Sequence, residues 1–209
     1  MGNFAYHLRR QSESVRPRGG ASMLFVHLAI IAVFGLVFPW MRPAVFLNPV
    51  VTAAYACLGL LFAGPAAAQA FGLERPRTTP EAFARVALAT AYGELMSALV
   101  LLAAFATIYI AHRYAFAPDL GTLPGAIFLG FTASLATASL AGWITLYASA
   151  PAARRLLRIV FLLLLALFFF RSESLPDVAP QAALLCLIIA AAALYGISRA
   201  LTKSASEIR

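Results

Sequence analysis

The sequence predicts an all-α, polytopic integral membrane protein of about six transmembrane helices, and three observations carry that prediction. Of its 209 residues 62% are hydrophobic and only 11% charged, too few charges to coat a globule of this size in water. Apolar runs recur at about the ~20 residues a helix needs to cross ~30 Å of hydrocarbon. The flanks of those runs alternate between arginine-rich and arginine-poor.

Runs bounded by charge, Pro or Gly fall at about 23–40, 46–71, 93–111, 123–148, 156–170 and 179–201. Residues 1–22 form a cytoplasmic N-terminal interfacial segment and 202–209 a cytoplasmic tail. The first apolar run begins only after Ser22 and five more follow it, which excludes a cleavable export signal. Orientation follows from positive charge, which cytoplasmic flanks retain. With the N-terminus inside, the cytoplasmic segments hold Arg9, Arg10, Arg16 and Arg18, then Arg75, Arg77 and Arg85, then Arg154, Arg155 and Arg158, then Arg199, Lys203 and Arg209. Only Arg42, Arg113 and Arg171 remain outside. An even number of spans, with both termini cytoplasmic, satisfies this alternation; five or seven would scramble it.

The basic balance, 16 Lys and Arg against 8 Asp and Glu, does not imply a nucleic-acid partner, because the cations sit between apolar runs rather than on one soluble face. Cys57 and Cys186 fall inside apolar runs and read as small fillers rather than a disulfide or metal pair. His7, His27 and His112 are far apart and make no metal set. Zinc-protease, nucleophile-turn and phosphate-loop motifs are absent, so the chain is not expected to be an enzyme or to hold a cofactor.

In lipid, helices associate where small residues repeat every fourth position and allow close backbone approach. The fourth run carries such a row, Ala126, Gly130, Ser134, Ala138 and Gly142, with Ala133, Thr137, Ala141 and Thr145 beside it. It reads as an intrachain packing ridge, with a dimer seam or a sliding surface as the functional alternatives. The fifth run, apolar all round from Phe161 to Phe170, is expected to face lipid. Tyr6, Trp40, Tyr114, Trp143 and Tyr147 lie near run ends, where amphipathic rings settle.

The longest polar interruption is LERPRTTPEAFARVALATAYGEL, Leu73 to Leu95. Thr79 can cap a short helix whose first residue is Pro80 and whose first turn carries Glu81. Phe83, Val86, Ala87, Thr90 and Ala91 suit an amphipathic element at the cytoplasmic surface, and Gly93 permits a bend into the third run. Two readings stand: a coupling element that docks on a cytoplasmic partner through Glu74, Arg75, Arg77, Thr79, Glu81, Phe83 and Arg85, or a loop that satisfies its own ends. Glu94 is the most deeply placed carboxylate. With the third run starting near Tyr92 it is a first-turn carboxylate at the headgroups, the expected placement. A helix continuous from Pro80 would instead carry it near the bilayer middle, as a proton or substrate site, where an ionised group costs about 2.5 to 3.5 kcal/mol on insertion scales.

The layout resembles the membrane subunit of type-2 exporters of the ATP-binding-cassette superfamily. The basic stretch NFAYHLRRQSESVRPR stands where that family has its interfacial helix. AAAQAFGLERPRTTPEAF is similar to the family's acidic-basic stretch with Thr before the coupling helix, and AYGEL opens the third run much as a Gly-Glu pair does there. The resemblance implies a permease in a bacterial cytoplasmic (inner) membrane, working as a homodimer or heterodimer. It also implies that residues 79–92 contact a separate subunit that binds and hydrolyses ATP. The chain departs from the family at Arg77-Thr78, where Gly usually precedes the Thr, and in lacking Pro at the far end of the coupling helix. Its outer loop, RSESLPDVAP, is too short for the pair of small helices many relatives carry.

The competing reading is a membrane scaffold or assembly subunit of a larger complex with no transport activity, binding through the small-residue row of the fourth run. A lipid-directed enzyme would rest on Glu94 and scattered arginines alone. Membrane lipid is a partner in every case.

Overall fold

The computed structural model describes residues 2–15, 28–29, 32–41, 77–112, 123–147, 151–152, 155–156, 159–160, 163 and 174–206. Nearly all of them are helical and none is in a strand. The elements are α1 (Gly2–Val15), a π-helical turn (Val33–Val37) running into α2 (Phe38–Met41), α3 (Thr79–His112), α4 (Leu123–Tyr147) and α5 (Leu175–Ser206). Two stretches are long and apolar enough to cross a membrane, Leu123–Ile144 of α4 and Asp177–Lys203 of α5, and α3 carries a shorter apolar stretch, Ala98–Ile110. The second run expected from the sequence, 46–71, lies outside the described residues, as does most of the fifth. Of the fifth run, Leu156, Ile159 and Leu163 are exposed.

Three helix boundaries differ from expectation. The sequence suggests a short surface helix, a bend at Gly93 and a separate third run; instead α3 is one helix of 34 residues, about 50 Å long. A single mid-helix glycine costs about 1 kcal/mol, and buried contacts lie on both sides of it, at Ala89 and Thr90 before and at Val100 and Ala104 after. Packing therefore keeps the helix continuous through a residue that local preference would let bend. α5 begins at Leu175 rather than 179, taking residues expected in the outer loop. Pro176 sits where backbone N–H groups have no intrahelical acceptor, and Asp177 complements the helix dipole in the first turn. Pro180 then interrupts only one bond of a helix already started. α4 ends at Tyr147, one residue short of expectation.

The core forms where α3, α4 and α5 meet, around Ala82, Val86, Ala89, Ala138, Ile197 and Leu201. Gly142 is wedged there: a Cβ on it would lie 3.3 Å from Ile197 Cδ1 and 3.7 Å from Val86 Cγ2. The start of α3 thus meets the end of α4, so those two helices run antiparallel. α4 and α5 have the most extensive interface of the described elements, with Trp143 on Gly196 and Gly142 on Ile197. Small residues are buried along all of α5, from Ala179 and Ala183 to Ala193, and at the start of α4 at Ala126. Parallel packing accounts for this. It also brings Leu123–Ile144 and Asp177–Lys203 level end to end, whereas antiparallel packing through the same contacts would carry the first half of α5 past the end of α4. Parallel neighbours need a return passage between them, and residues 148–174 are the chain available for it.

α1 is helical where the interfacial segment is expected, and it packs against α3 with Phe4 and Tyr6 exposed. The π-helical turn also leans on α3. A Cβ on Gly35 would lie 2.8 Å from Ala103 Cβ and 3.3 Å from the Val100 carbonyl oxygen, so the close approach requires glycine.

Gly196 is as constrained, since its Cβ would fall 2.6 Å from Trp143 Nε1. In a Trp40→Phe background Gly196→Ala is expected to destabilise by about 1–3 kcal/mol, the usual cost of overpacking, and to shift Trp143 fluorescence. Gly125→Ala, where nothing lies within 4 Å, should leave thermal unfolding in detergent unchanged. Equal effects of the two substitutions would contradict the described α4–α5 contact.

Candidate functional site

Two places on α3 carry chemistry, its N-terminus and the contact of Glu94 with α4. At the N-terminus the cap is Thr78, one residue before the expected Thr79: the Glu81 N–H donates to Thr78 Oγ1 at 3.3 Å and the Ala82 N–H to the Thr78 carbonyl at 3.1 Å. Thr78-Thr79-Pro80-Glu81 is a Thr-x-x-Glu capping box, a signal the sequence already holds one position earlier than the Thr-Pro pair suggests. Glu81 reaches back one residue past the cap: its Oε2 accepts from the Arg77 N–H at 3.1 Å and its Oε1 from Arg85 Nη2 at 2.6 Å.

The expected docking residues are therefore divided. Glu81 and Arg85 bind each other with side chains 16% and 10% exposed, drawn in by the neighbouring buried residues Ala82, Ala84 and Val86. Arg77 is exposed, Thr79 and Phe83 are half-buried, and Ala87 and Ala91 continue the outward face. Glu74 and Arg75 lie outside the described residues.

Nine residues further on, Glu94 meets α4. The Ser134 hydroxyl hydrogen-bonds its carboxylate, in the same antiparallel register that sets Val86 against Gly142. Ser134 stands at the midpoint of the Leu123–Ile144 apolar stretch. Among the described residues Glu94 Oε1 is buried with no hydrogen-bond partner.

Three neighbouring hydroxyls of α4 bond along their own helix. Thr132 donates to the Phe128 and Leu129 carbonyls at 3.0 and 3.1 Å, Thr137 to Ser134 at 3.0 Å, and Ser139 to Leu135 and Ala136. They satisfy themselves on their own helix, as hydroxyls in a water-poor interior must. Ser134, 1% exposed, lies on the face of α4 that meets Glu94. The sequence places it only in the small-residue row; that it pairs with Glu94 depends on the register of two helices, which no local signal gives.

The rest of that row is covered within the chain. Ala126 and Gly130 are buried, Ala138 lies in the core, and Gly142 separates Val86 from Ile197. At the end of the bundle near Arg85, Trp143 and Tyr147 stack edge to face at 5.9 Å, and Arg199 lies 5.9 Å from the Tyr195 ring centroid. Cys186 is half-buried and in no disulfide. Among the described residues no group of three or more His, Cys, Asp or Glu could hold a metal ion.

No protein-family model matches the chain, and neither a curated protein nor a solved structure is significantly similar to it.

The cap has a direct test. Thr78→Ala is expected to cost about 1 kcal/mol and to speed amide hydrogen exchange of the first turn of α3 several-fold, with little change for Thr79→Ala. The reverse order would move the cap back to Thr79.

Proposed function

We propose that the chain is a six-span membrane protein with both termini cytoplasmic, and that it is the permease subunit of an ATP-binding-cassette type-2 exporter-like transporter. In this reading it lies in a bacterial inner membrane, pairs with a second permease and is driven by a separate ATPase subunit. The observation that carries the proposal is the continuity of α3. Its capped start, with Arg77, Thr79 and Phe83, is the docking end, and an unbroken helix transmits a displacement there as a rigid body to Glu94 and to the Gly35 contact. The family assignment rests on chain layout.

Membrane placement draws support from three helices at one level. Arg85, Trp143 and Arg199 lie together by the contacts of Val86, Gly142 and Ile197, and Tyr147, Tyr195 and Lys203 belong to the same end. Cations with aromatic rings mark a cytoplasmic interface, while Asp177 stands at the far end of α5. The parallel course of α4 and α5 supports the parity of six spans, since a fifth span would supply the return between them. The scaffold reading needs the α4 row as an outward binding face, and its burial favours transport.

With an affinity tag at the C-terminus, purification from native membranes is expected to bring along a protein bearing a phosphate loop. Arg77→Glu with Phe83→Ala should cut its recovery about tenfold or more, as loss of an anchor at a docking site does. Absence of any nucleotide-hydrolysing partner would overturn the transporter reading. Labelling of cysteines introduced at the two chain ends tests topology separately, and exposure of the ends to opposite compartments would end the six-span proposal.

A further inference from the structure

We infer that Glu94 is a proton-binding site inside the bilayer, with Oε1 as the atom that takes up and releases the proton and Ser134 as the residue that positions the carboxyl. The inference rests on the membrane placement of α3 to α5 proposed above and not on the ATPase partner.

Depth is the first argument. Arg85, Trp143 and Arg199 mark one edge of the bundle, and Glu94 lies nine residues along α3 from Arg85, about 13 Å deeper. In a hydrocarbon layer of about 30 Å that is close to the middle. Ser134, at the midpoint of the α4 apolar stretch, gives the same depth from another helix. Of the alternative depths open to Glu94, continuity of α3 selects the inner one.

The second argument is what surrounds the carboxyl. A buried carboxylate is held by a cation, by several donors or by protonation. α4 carries no charged residue between Leu123 and Tyr147, and Val33–Met41 carries none. On α5 the titratable groups are Asp177, Cys186, Tyr195, Arg199 and Lys203, of which only Cys186 is near the Glu94 level in the parallel register. On α1 they are Tyr6, His7, Arg9, Arg10 and Glu13, and on α3 Glu81, Arg85, Tyr92, Tyr109 and His112. Arg85 is committed to Glu81 at 2.6 Å. Ser134 supplies a single hydroxyl, and Oε1 is buried without a partner among the described residues.

The third argument is position: Ser134 is 1% exposed and is the polar member of the small-residue row on α4. Proton uptake forms an O–H bond at Oε1 and release breaks the same bond, with no other reactant.

The test uses the full chain in native membrane vesicles, in a Cys57→Ala background, with two carbodiimides that add to protonated carboxyls. The lipid-soluble dicyclohexylcarbodiimide is expected to modify Glu94, found by peptide mass spectrometry, with labelling that falls as pH rises. The water-soluble ethyl-dimethylaminopropyl analogue is expected to spare it. Glu94→Gln should lose that adduct and no other. Ser134→Ala should keep the adduct and carry labelling to higher pH, because the hydroxyl donates to the charged form; a structural role for Ser134 would leave that profile in place.

Preferential labelling by the water-soluble reagent would put Glu94 in water and overturn the inference. So would the absence of an adduct from either reagent at every pH, which would mean a carboxylate permanently held by a cation. Cys186 distinguishes this from failure of the membrane placement. Shielding of Cys186 from a membrane-impermeant maleimide until the vesicles are denatured keeps the placement and confines any failure to the proton site. Reaction in intact vesicles removes the placement and this inference with it.

Discussion

The structure depends on the lack of side-chain bulk along one face of α4. In the proposed membrane setting lipid would give two helices no hydrophobic reason to prefer each other over acyl chains, so their association would come from close contact and the few polar bonds that contact permits. Ala126, Gly130, Ser134, Ala138 and Gly142 supply that contact, and the long helices α3 and α5 pack on the surface they leave. The approach is near its limit at Gly142, 3.3 Å from Ile197 Cδ1 to the position of a Cβ. A methyl group there would have to shift the tip of Ile197 by a few tenths of an ångström.

The same closeness brings a serine hydroxyl to a carboxyl. Along the row Ser134 is the polar member, small enough to pack as an alanine would and able to donate a hydrogen bond. Its position fixes the level of Glu94, and with it the difference between a carboxylate that caps a helix at a surface and one held in a water-poor interior. Packing and polarity are one arrangement here, because a larger residue at 134 would separate α3 from α4 and remove the donor together.

Much of this was legible in the residues. Leu123-Pro124-Gly125 announces the start of α4, the small-residue row gives its packed face, and composition gives the fold class. The continuity of α3 was not legible, because Gly93 and the Thr-Pro pair are local signals and the contacts that override them come from other elements, chiefly α4, α1 and the π-helical turn. The early start of α5 was missed for a related reason: Pro176 and Pro180 read as a loop until their place in the first turns is known. Thr78 was within reach, since the Thr-x-x-Glu spacing is in the sequence. The Glu94–Ser134 pair was not, as both residues were conspicuous separately and only the helix register joins them.

The π-helical turn at Val33–Val37 runs directly into Phe38–Met41 and is wider by one residue than an α-helical turn. An inserted residue rotates everything after it by about 100° about the helix axis, so a wheel drawn straight through this segment assigns its faces wrongly. Trp40 and Met41, 70% and 67% exposed, point outward while Gly35 lies against α3, so the segment gives its small residue to the bundle and its bulky ones to the surroundings.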